Sequence, residues 1–280
     1  MQSAEYQVEK VFNHNVILAL QNGKERILLA RGIGFGKKPG ELIPAHTVIE
    51  KIFSIQNEKN SEQFRQVLNQ ISDETFIMCE NIIYMISCEL GEELDEKIHI
   101  NLVDHIAFIL KRLMNEDSIS NPFLTEIEIL YGQEFELAKK AVDMLVEQSG
   151  VQIPSGEIGF IAMHIHSARN NGKLSQTIKC AYLANLITEI IEKEQQIRID
   201  RKSLDYGRFV THVRFTVERL LRNTPITNDL LGTIKRKYKA SYALAKKVGK
   251  IIEVELDIPA VPSGEIGYIT IHIEKLCSDK

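Results

Sequence analysis

The chain has 280 residues, of which 34 are Lys or Arg and 38 are Asp or Glu, so its net charge is −4 at pH 7. Its large apolar fraction argues against a disordered chain, and no apolar run approaches the ~18 residues that a membrane helix needs. The N-terminus has no apolar signal region. We therefore expect a soluble, cytoplasmic protein without membrane insertion.

The first 60 residues predict a small antiparallel sheet. Short β-prone runs at Val8 to Phe12, Val16 to Leu20 and Ile27 to Ala30 are followed by an alternating run at Ile49 to Ile55. Asn22-Gly23 is typical of a tight hairpin, because both residues tolerate positive φ. A sheet of about four strands is marginal alone, so we expect it to dimerise and thereby bury a second apolar face.

A glycine-rich stretch, RGIGFGKKPG, occupies residues 31–40 and lacks the spacing of a nucleotide P-loop. Arg31 and Phe35 suit nucleic acid, because a cation meets phosphate and an aromatic ring stacks on a base. The first 60 residues also carry a charge of +2, which leaves −6 for the rest. Asn13 and Asn15 lie at a turn, where amides can read base edges. On the motif alone, a glycine-rich turn with solvated lysines is the favoured interpretation.

The rest of the chain repeats itself. Residues 153–165 read IPSGEIGFIAMHI and residues 261–273 read VPSGEIGYITIHI, an offset of 108. A His-x-x-Phe-x-x-x-Arg pattern begins at His105 and again at His212, an offset of 107. Three matches in one order, with the third at Tyr131 and Tyr238, indicate a tandem duplication of a helical module.

Apolar periodicity and capping residues predict helices throughout both copies. In the first copy, predicted helices begin at Ser61-Glu62, Asp73, Ile100 and Phe135, and a fifth begins with Ser155 as its N-cap. In the second copy, the predicted helices are 174–195, 203–222, 228–253 and 263–277. The sequence thus predicts a multidomain chain: a small antiparallel β-sheet domain (1–60) followed by two homologous all-α five-helix bundles (61–171 and 172–280).

Each copy carries two histidines at matching positions, His105 and His164 in the first and His212 and His272 in the second. A neutral imidazole is a good nucleophile near neutral pH and can accept a phosphoryl group. Arg112 and Arg219 follow the first histidine of each copy by two helical turns. They are candidates to pair with a phosphate, which the separation within one helix suggests would come from a neighbouring chain.

A metal site is an alternative for these histidines. Asp104-His105 is similar to a ligand pair of metal-dependent phosphohydrolases, but the second copy has Thr211-His212, and no other ligand set or nucleophile system is apparent. The four cysteines lack zinc-binding spacing. The sequence therefore predicts no metal, no cofactor and no enzymatic activity. A helical scaffold with structural histidines is the remaining alternative.

KVFNHNVILA and RGIGFGKK in the head, followed by two copies of H-x-x-F-x-x-x-R and E-I-G-[FY]-I-x-x-H-I, resemble the bacterial sugar-operon antiterminators of the BglG/SacY type. The similarity covers essentially the whole chain and is strongest to the subgroup that controls a glucose permease. It implies that the head is an RNA-binding co-antiterminator (CAT) domain. This domain would act as a homodimer on an RNA hairpin in a nascent leader transcript and prevent terminator formation. The two helical modules would be phosphotransferase-system regulation domains (PRDs).

The resemblance also implies the site residues. The RNA contacts map onto Lys10, Asn13, Asn15, Arg31, Gly32 and Phe35. The phosphorylation sites map onto the four duplicated histidines, with a sugar-specific Enzyme II acting on the first module and HPr mainly on the second. Ala30 departs from the family, because many members have glycine there. A PRD-containing DNA-binding activator is an alternative, but it requires a helix-turn-helix head where this sequence predicts strands.

Overall fold

The computed structural model describes residues 5–44, 46–115, 117 and 119–278. Within these residues the head forms one antiparallel sheet of five strands in the order β4-β1-β2-β3-β5. The strands are β1 (Tyr6–Val11), β2 (Val16–Gln21), β3 (Lys24–Leu29), β4 (Leu42–Ile43) and β5 (Lys51–Ile55). The four predicted strands are present. The fifth, β4, has two residues, which is too short to produce an alternating pattern.

The predicted hairpin joins β2 to β3. Asn22 has φ 53° and Gly23 has φ 76°, the positive values that a two-residue turn between right-twisted strands requires. One face of the sheet is closed by the head itself, because Ile33 and Ile43 from the segment after β3 pack into it. This core consists of Val8, Ile17, Ala19, Leu28, Ala30, Ile33 and Ile43.

Eleven helices follow the sheet in the described part of the chain. They are α1 (Glu58–Leu68), α2 (Asp73–Leu90), α3 (Ile98–Leu113), α4 (Leu124–Leu130), α5 (Gly132–Ser149), α6 (Ser155–Arg169), α7 (Leu174–Gln195), α8 (Leu204–Leu221), α9 (Leu231–Lys237), α10 (Lys239–Leu256) and α11 (Ser263–Ser278). Five helices in one copy, α2 to α6, correspond in order to five in the other, α7 to α11. The predicted duplication of a five-helix module is therefore confirmed.

Several helices differ from the prediction. The helix α4 was not predicted, and α3 and α5 begin at Ile98 and Gly132 instead of Ile100 and Phe135. The predicted helix 228–253 is two helices, because Tyr238 leaves helical backbone geometry at φ −115° and ψ 55°. The helix predicted to begin at Ser61-Glu62 begins at Glu58, since the side chain of Asn57 accepts the backbone N–H of Lys59 at 2.9 Å. Ser155, predicted to be an N-cap, is instead the first residue of α6.

The chain forms two compact units that do not follow the repeat boundary. The first extends from the sheet to Ser120 and continues from Glu136 to Leu174. The second comprises Asn121–Phe135 and the chain from Ser175 onwards. Thus α4, which belongs to the first copy by sequence, packs against α8 of the second.

Within the second unit, the carboxylate of Glu126 on α4 is 1% exposed. It accepts hydrogen bonds from Arg201, at 2.5 Å, and from the Tyr206 hydroxyl.

None of the helices in the described residues combines the length and apolar character needed to cross a membrane. In the same residues, no cluster of three or more His, Cys, Asp or Glu side chains has a geometry suited to a metal ion.

Candidate functional site

The turn between β1 and β2 is built by its two asparagines. The Oδ1 atom of Asn13 accepts the backbone N–H groups of Asn15 and Val16, each at 2.8 Å. The Oδ1 atom of Asn15 accepts the N–H of Gly32 at 2.9 Å. These bonds fix the turn against the glycine-rich segment that follows β3, so residues 17 positions apart in sequence form one surface.

A glycine is required where the two segments meet. The N–H of Gly34 donates to the carbonyl oxygen of His14 at 2.9 Å. A Cβ atom at position 34 would lie 2.2 Å from the carbonyl oxygen of Asn13, which is closer than any such contact allows. The spacing of glycines in RGIGFGKK therefore reflects a close approach of two backbones.

This surface, the turn cluster (Asn13, His14, Asn15, Arg31, Gly32 and Phe35), exposes the groups that suit RNA. The Phe35 side chain is 72% exposed, and the His14 ring meets it edge-on with ring centroids 5.3 Å apart. Arg31 is also exposed, with its backbone N–H held by the Glu50 carboxylate at 3.0 Å. On this surface an exposed aromatic ring can stack on a base, and an exposed guanidinium can pair with a phosphate.

Two other head residues named from the sequence lie in different surroundings. The Lys10 ammonium pairs with Asp73 on α2 at 2.7 Å. Ala30 is buried in the sheet core, where its methyl group packs, and its backbone N–H donates to the carbonyl of Asn15. An alanine at this position is therefore compatible with the turn cluster.

The duplicated histidines of the first copy lie together. His105 on α3 and His164 on α6 stack with ring centroids 4.8 Å apart and an interplanar angle of 29°. Next to them, the buried Arg112 guanidinium pairs with the carboxylate of Glu157, which is 1% exposed. The second carboxylate oxygen of Glu157 lies 3.6 Å from Nε2 of His105.

The second copy repeats this arrangement. His212 on α8 and His272 on α11 stack at 4.5 Å and 30°. Arg219 binds Glu265 through two parallel hydrogen bonds, of 2.7 Å and 2.6 Å, and the Thr216 hydroxyl donates to the same carboxylate at 3.1 Å. Each copy therefore holds one histidine cluster: two stacked imidazoles, an arginine and a buried glutamate.

Burial keeps all four imidazoles neutral near pH 7. It lowers the pKa of His105 to about 4, with Arg112 adding to the effect, and the pKa of His164 to about 3, with His105 adding to it. Burial, His272 and Arg219 lower the pKa of His212 to about 4. Burial also lowers the pKa of His272. A neutral imidazole has the free lone pair that nucleophilic attack requires.

Comparison with known proteins identifies the modules. The model of the CAT RNA binding domain matches residues 6–62, and the model of the PRD domain matches residues 80–168 and 185–276. The chain belongs to the CAT–PRD family of transcription antiterminators. The predicted resemblance is thus confirmed, and the head is an RNA-binding domain.

Relatives of this antiterminator match it over nearly its whole length. It is 36% identical over 273 residues to "Transcription antiterminator LicT" of Bacillus subtilis (strain 168), which covers 96% of this chain and 98% of the relative. It is 37% identical over 274 residues to the "PtsGHI operon antiterminator" of the same strain, which covers 97% of each chain.

It is also 33% identical over 272 residues to "Protein GlcT" of Staphylococcus aureus (strain Newman), with 96% of each chain covered.

A solved structure supports the fold of the first part. "Crystal structure of GlcT CAT-PRDI" matches with a TM-score of 0.52 and 41% identity, and it covers 59% of this chain and 98% of that one. These relatives are regulators, which agrees with the prediction of a non-enzyme. A β-sheet head that matches the CAT domain is also not the helix-turn-helix head that a DNA-binding activator requires.

Sequence reasoning missed three residues of these sites. His14 lies in the turn cluster, between the two asparagines that the sequence did single out. Glu157 and Glu265 hold the arginines, and neither was singled out from the sequence. Their signal was present, because the PSGEIG motif carries a Glu in both copies, as the His-x-x-Phe-x-x-x-Arg motif carries an Arg in both.

Proposed function

We propose that this antiterminator is a cytoplasmic homodimer that binds a hairpin in the nascent leader RNA of a glucose-permease operon and is controlled by phosphorylation of its histidines. The observation that carries the regulatory part is the histidine cluster, which occurs twice with the same four residues: two histidines, an arginine and a glutamate. The names of two relatives, "PtsGHI operon antiterminator" and "Protein GlcT", support the choice of operon.

The turn cluster supplies the RNA-binding surface of each head. Arg31 neutralises a phosphate, Phe35 stacks on an unpaired base, and the N–H and carbonyl groups around Gly32 approach the RNA without a side chain between them. Asn13 and Asn15 shape the turn through Oδ1, which leaves their amide NH₂ groups to donate to base edges. Lys10 contributes positive charge when its ion pair with Asp73, which is about half exposed, opens.

The histidine clusters supply the regulatory sites: His105 and His164 in the first PRD, His212 and His272 in the second. The lone pair of a neutral imidazole nitrogen attacks the phosphorus of a phosphorylated donor, and the donor's bond to phosphorus breaks with its electron pair. Enzyme II of the sugar permease is the donor for the first PRD, and HPr is the main donor for the second. The product carries a charge of about −2 at pH 7.

Arg112 and Arg219 are the groups that respond to the new charge. A phosphoryl group on His105 or His212 enters a site that already holds a buried carboxylate, so it repels Glu157 or Glu265 and attracts the arginine bound there. Exchange of the arginine from carboxylate to phosphate changes how α3 and α6, or α8 and α11, are held together. Such an exchange between two discrete arrangements shifts the population of active dimer.

Binding of the full chain to a sugar-operon leader hairpin tests the RNA function. We expect salt-sensitive binding that is weakened about tenfold or more by Arg31→Ala and by Phe35→Ala. Lys24→Ala and Val48→Ala are matched controls, because both residues are exposed on the head outside the turn cluster. Equal losses in the controls, or no hairpin binding by a folded protein, would refute the RNA function.

Phosphotransfer from the phosphorylated donors, followed by mass spectrometry, tests the regulatory sites. We expect phosphate on the four clustered histidines and loss of each site in its His→Ala variant. His166→Ala is the control, since His166 is on α6, two residues from His164, and is not part of the stacked pair. Phosphorylation that persists in a variant with all four clustered histidines replaced by alanine would refute this assignment.

A further inference from the structure

One segment of the repeat has opposite charge in the two copies. Residues 231–250, which run from the start of α9 into α10, contain seven Lys or Arg and no Asp or Glu, a charge of +7. The matching residues of the first copy, 124–143, contain five Asp or Glu and two Lys, a charge of −3. Both segments form the same two helices of the module. The module therefore needs neither charge in order to fold.

The basic side chains of the second copy are exposed. The helix α9 packs against α10 and α11, and Ile234 is the residue that it buries. Lys247 pairs with Glu194 at 2.6 Å, and Lys250 pairs with Glu253 at 2.7 Å. Among the described residues no carboxylate pairs with the other five cations. These five form the basic patch: Lys235, Arg236, Lys237, Lys239 and Lys246.

Two tyrosine rings lie among these cations. The ammonium of Lys235 is 5.3 Å from the centroid of the Tyr242 ring, and that of Lys237 is 5.1 Å from the centroid of the Tyr238 ring. The first contact joins the end of α9 to the start of α10, where Lys246 follows Tyr242 by one turn on the same face. Both rings are partly exposed. Cations interleaved with accessible aromatic rings are typical of surfaces that bind single-stranded nucleic acid.

Helix stability does not account for the patch. Lys239 is the first residue of α10, where the helix dipole disfavours a cation. The first turn of α10 has no acidic residue, whereas α5, its counterpart in the first copy, has Glu134 there. The sequence thus places a positive charge where it lowers the stability of the helix. An anionic ligand on the patch would offset that loss.

We propose that the basic patch is a second RNA-binding surface, which holds single-stranded RNA next to the hairpin bound by the head. The proposal rests on the proposed function, because it takes the hairpin as the main site. The five cations neutralise phosphates, and the two tyrosines stack on unpaired bases. A flexible strand with one charge per nucleotide can follow cations that are spread over two helices.

The composition of the patch favours RNA over an acidic protein as its partner. Protein interfaces are depleted in lysine and have apolar or aromatic residues at their centre. No large apolar side chain of residues 232–250 is exposed. The patch therefore lacks the apolar centre that a protein partner would cover.

The test measures binding of the full chain to three RNAs: a sugar-operon leader hairpin, the same hairpin with long oligouridine tails, and the tails alone. For the wild type we expect the tails to raise the affinity for the hairpin about tenfold. They should also steepen the plot of log K against log salt concentration by about 3, as four or five phosphate contacts on a single strand require.

Reversal of charge in the patch should remove this gain. In the double variant Lys235→Glu, Lys237→Glu we expect the tails to add less than about twofold, while affinity for the hairpin alone stays within about twofold of the wild type. The matched control is Lys193→Glu, Lys202→Glu, which makes the same change of charge at exposed positions of the same compact unit. We expect the control to keep the gain.

Lys239→Glu separates RNA binding from stability. An acidic residue in the first turn of α10 complements the helix dipole, so we expect slower hydrogen exchange of α10 and a higher urea midpoint. The gain from the tails should fall about threefold in the same variant. A weaker gain in a more stable protein cannot result from unfolding.

The proposal is overturned if the tails add no affinity in the wild type, or if the patch variant and its matched control lose the gain equally. It is also overturned if all variants bind RNA alike and the patch variant instead loses affinity for HPr, since the partner is then a protein. Patch-dependent binding of the tails without any binding of the hairpin would support the basic patch and refute the proposed hairpin function.

Discussion

The carboxylate of Glu265 receives two parallel hydrogen bonds from Arg219, and in the other repeat Glu157 receives the guanidinium of Arg112. The arginine comes from the His-x-x-Phe-x-x-x-Arg helix and the glutamate from the PSGEIG helix. Two sequence motifs that recur together are therefore two halves of one contact. Each contact stands beside a stacked histidine pair, so in both repeats the arginine is already engaged by a carboxylate.

Replacing Glu157 should destabilise the first repeat. Glu157→Gln leaves Arg112, which is 7% exposed, without a charged partner in a buried site. We expect a loss of ~3 kcal/mol in the free energy of unfolding of this repeat, measured by urea denaturation with hydrogen exchange at α3. The control Glu136→Gln breaks an exposed pair with Lys139 and should cost less than ~1 kcal/mol. Similar losses for both variants would contradict the buried-pair interpretation.

The partly buried histidines should make the first repeat sensitive to acid. The unfolded chain binds protons on His105 and His164 near pH 6.5, whereas the folded chain binds them only near pH 4 and 3. Stability is therefore fully present above about pH 6.5 and is lost as the pH falls toward 4. The double variant His105→Gln, His164→Gln should show a smaller drop in urea midpoint between pH 7 and pH 5.

A control for this pH effect is His46→Gln, because His46 is exposed in the head. We expect its pH profile to follow that of the wild type. A double histidine variant with an undiminished drop would show that other groups cause the acid sensitivity.

The charges beside His212 should set how readily it is phosphorylated. Glu265→Gln removes a like charge next to the incoming phosphate, and we expect the phosphorylated fraction at a fixed donor concentration to rise about tenfold, equivalent to ~1.4 kcal/mol. Arg219→Gln should lower it by a similar factor. Quantitative mass spectrometry of His212 measures both, with circular dichroism as a check on folding. The same direction of change in both variants would contradict the electrostatic account.

Gly34 should tolerate no side chain. In Gly34→Ala the new methyl group meets the Asn13 carbonyl at 2.2 Å unless the turn moves, so we expect ~1–3 kcal/mol of destabilisation of the head. Hairpin binding should weaken with it, because the turn cluster depends on this contact. Gly207→Ala, in open space on α8, should instead gain up to ~1 kcal/mol. If Gly34→Ala left the stability of the head and hairpin binding unchanged, the β1–β2 turn and the glycine-rich segment would be able to move apart without cost.

The duplication made most of the fold predictable. Motifs repeated at offsets of 107 and 108 residues predicted the two helical modules, and alternation together with Asn22-Gly23 predicted the hairpin sheet. Local patterns could not reveal that Arg112 meets Glu157, since this contact joins residues 45 positions apart. Local patterns also could not reveal that α4 packs against α8. An amphipathic sequence predicts that a helix has a buried face, but not which helix covers that face.

That packing of α4 has an evolutionary consequence. The segment 121–135 is encoded in the first copy, yet its Glu126 completes the polar network around Arg201 and Tyr206 of the second. The sequence repeat and the compact structural unit thus differ by one helix, α4. A recombination event that exchanged repeats at residue 171 would deliver a second repeat lacking its acidic centre. Recombination between members of this family should therefore keep the segment from α4 to α8 together, although this segment crosses the boundary between the sequence repeats.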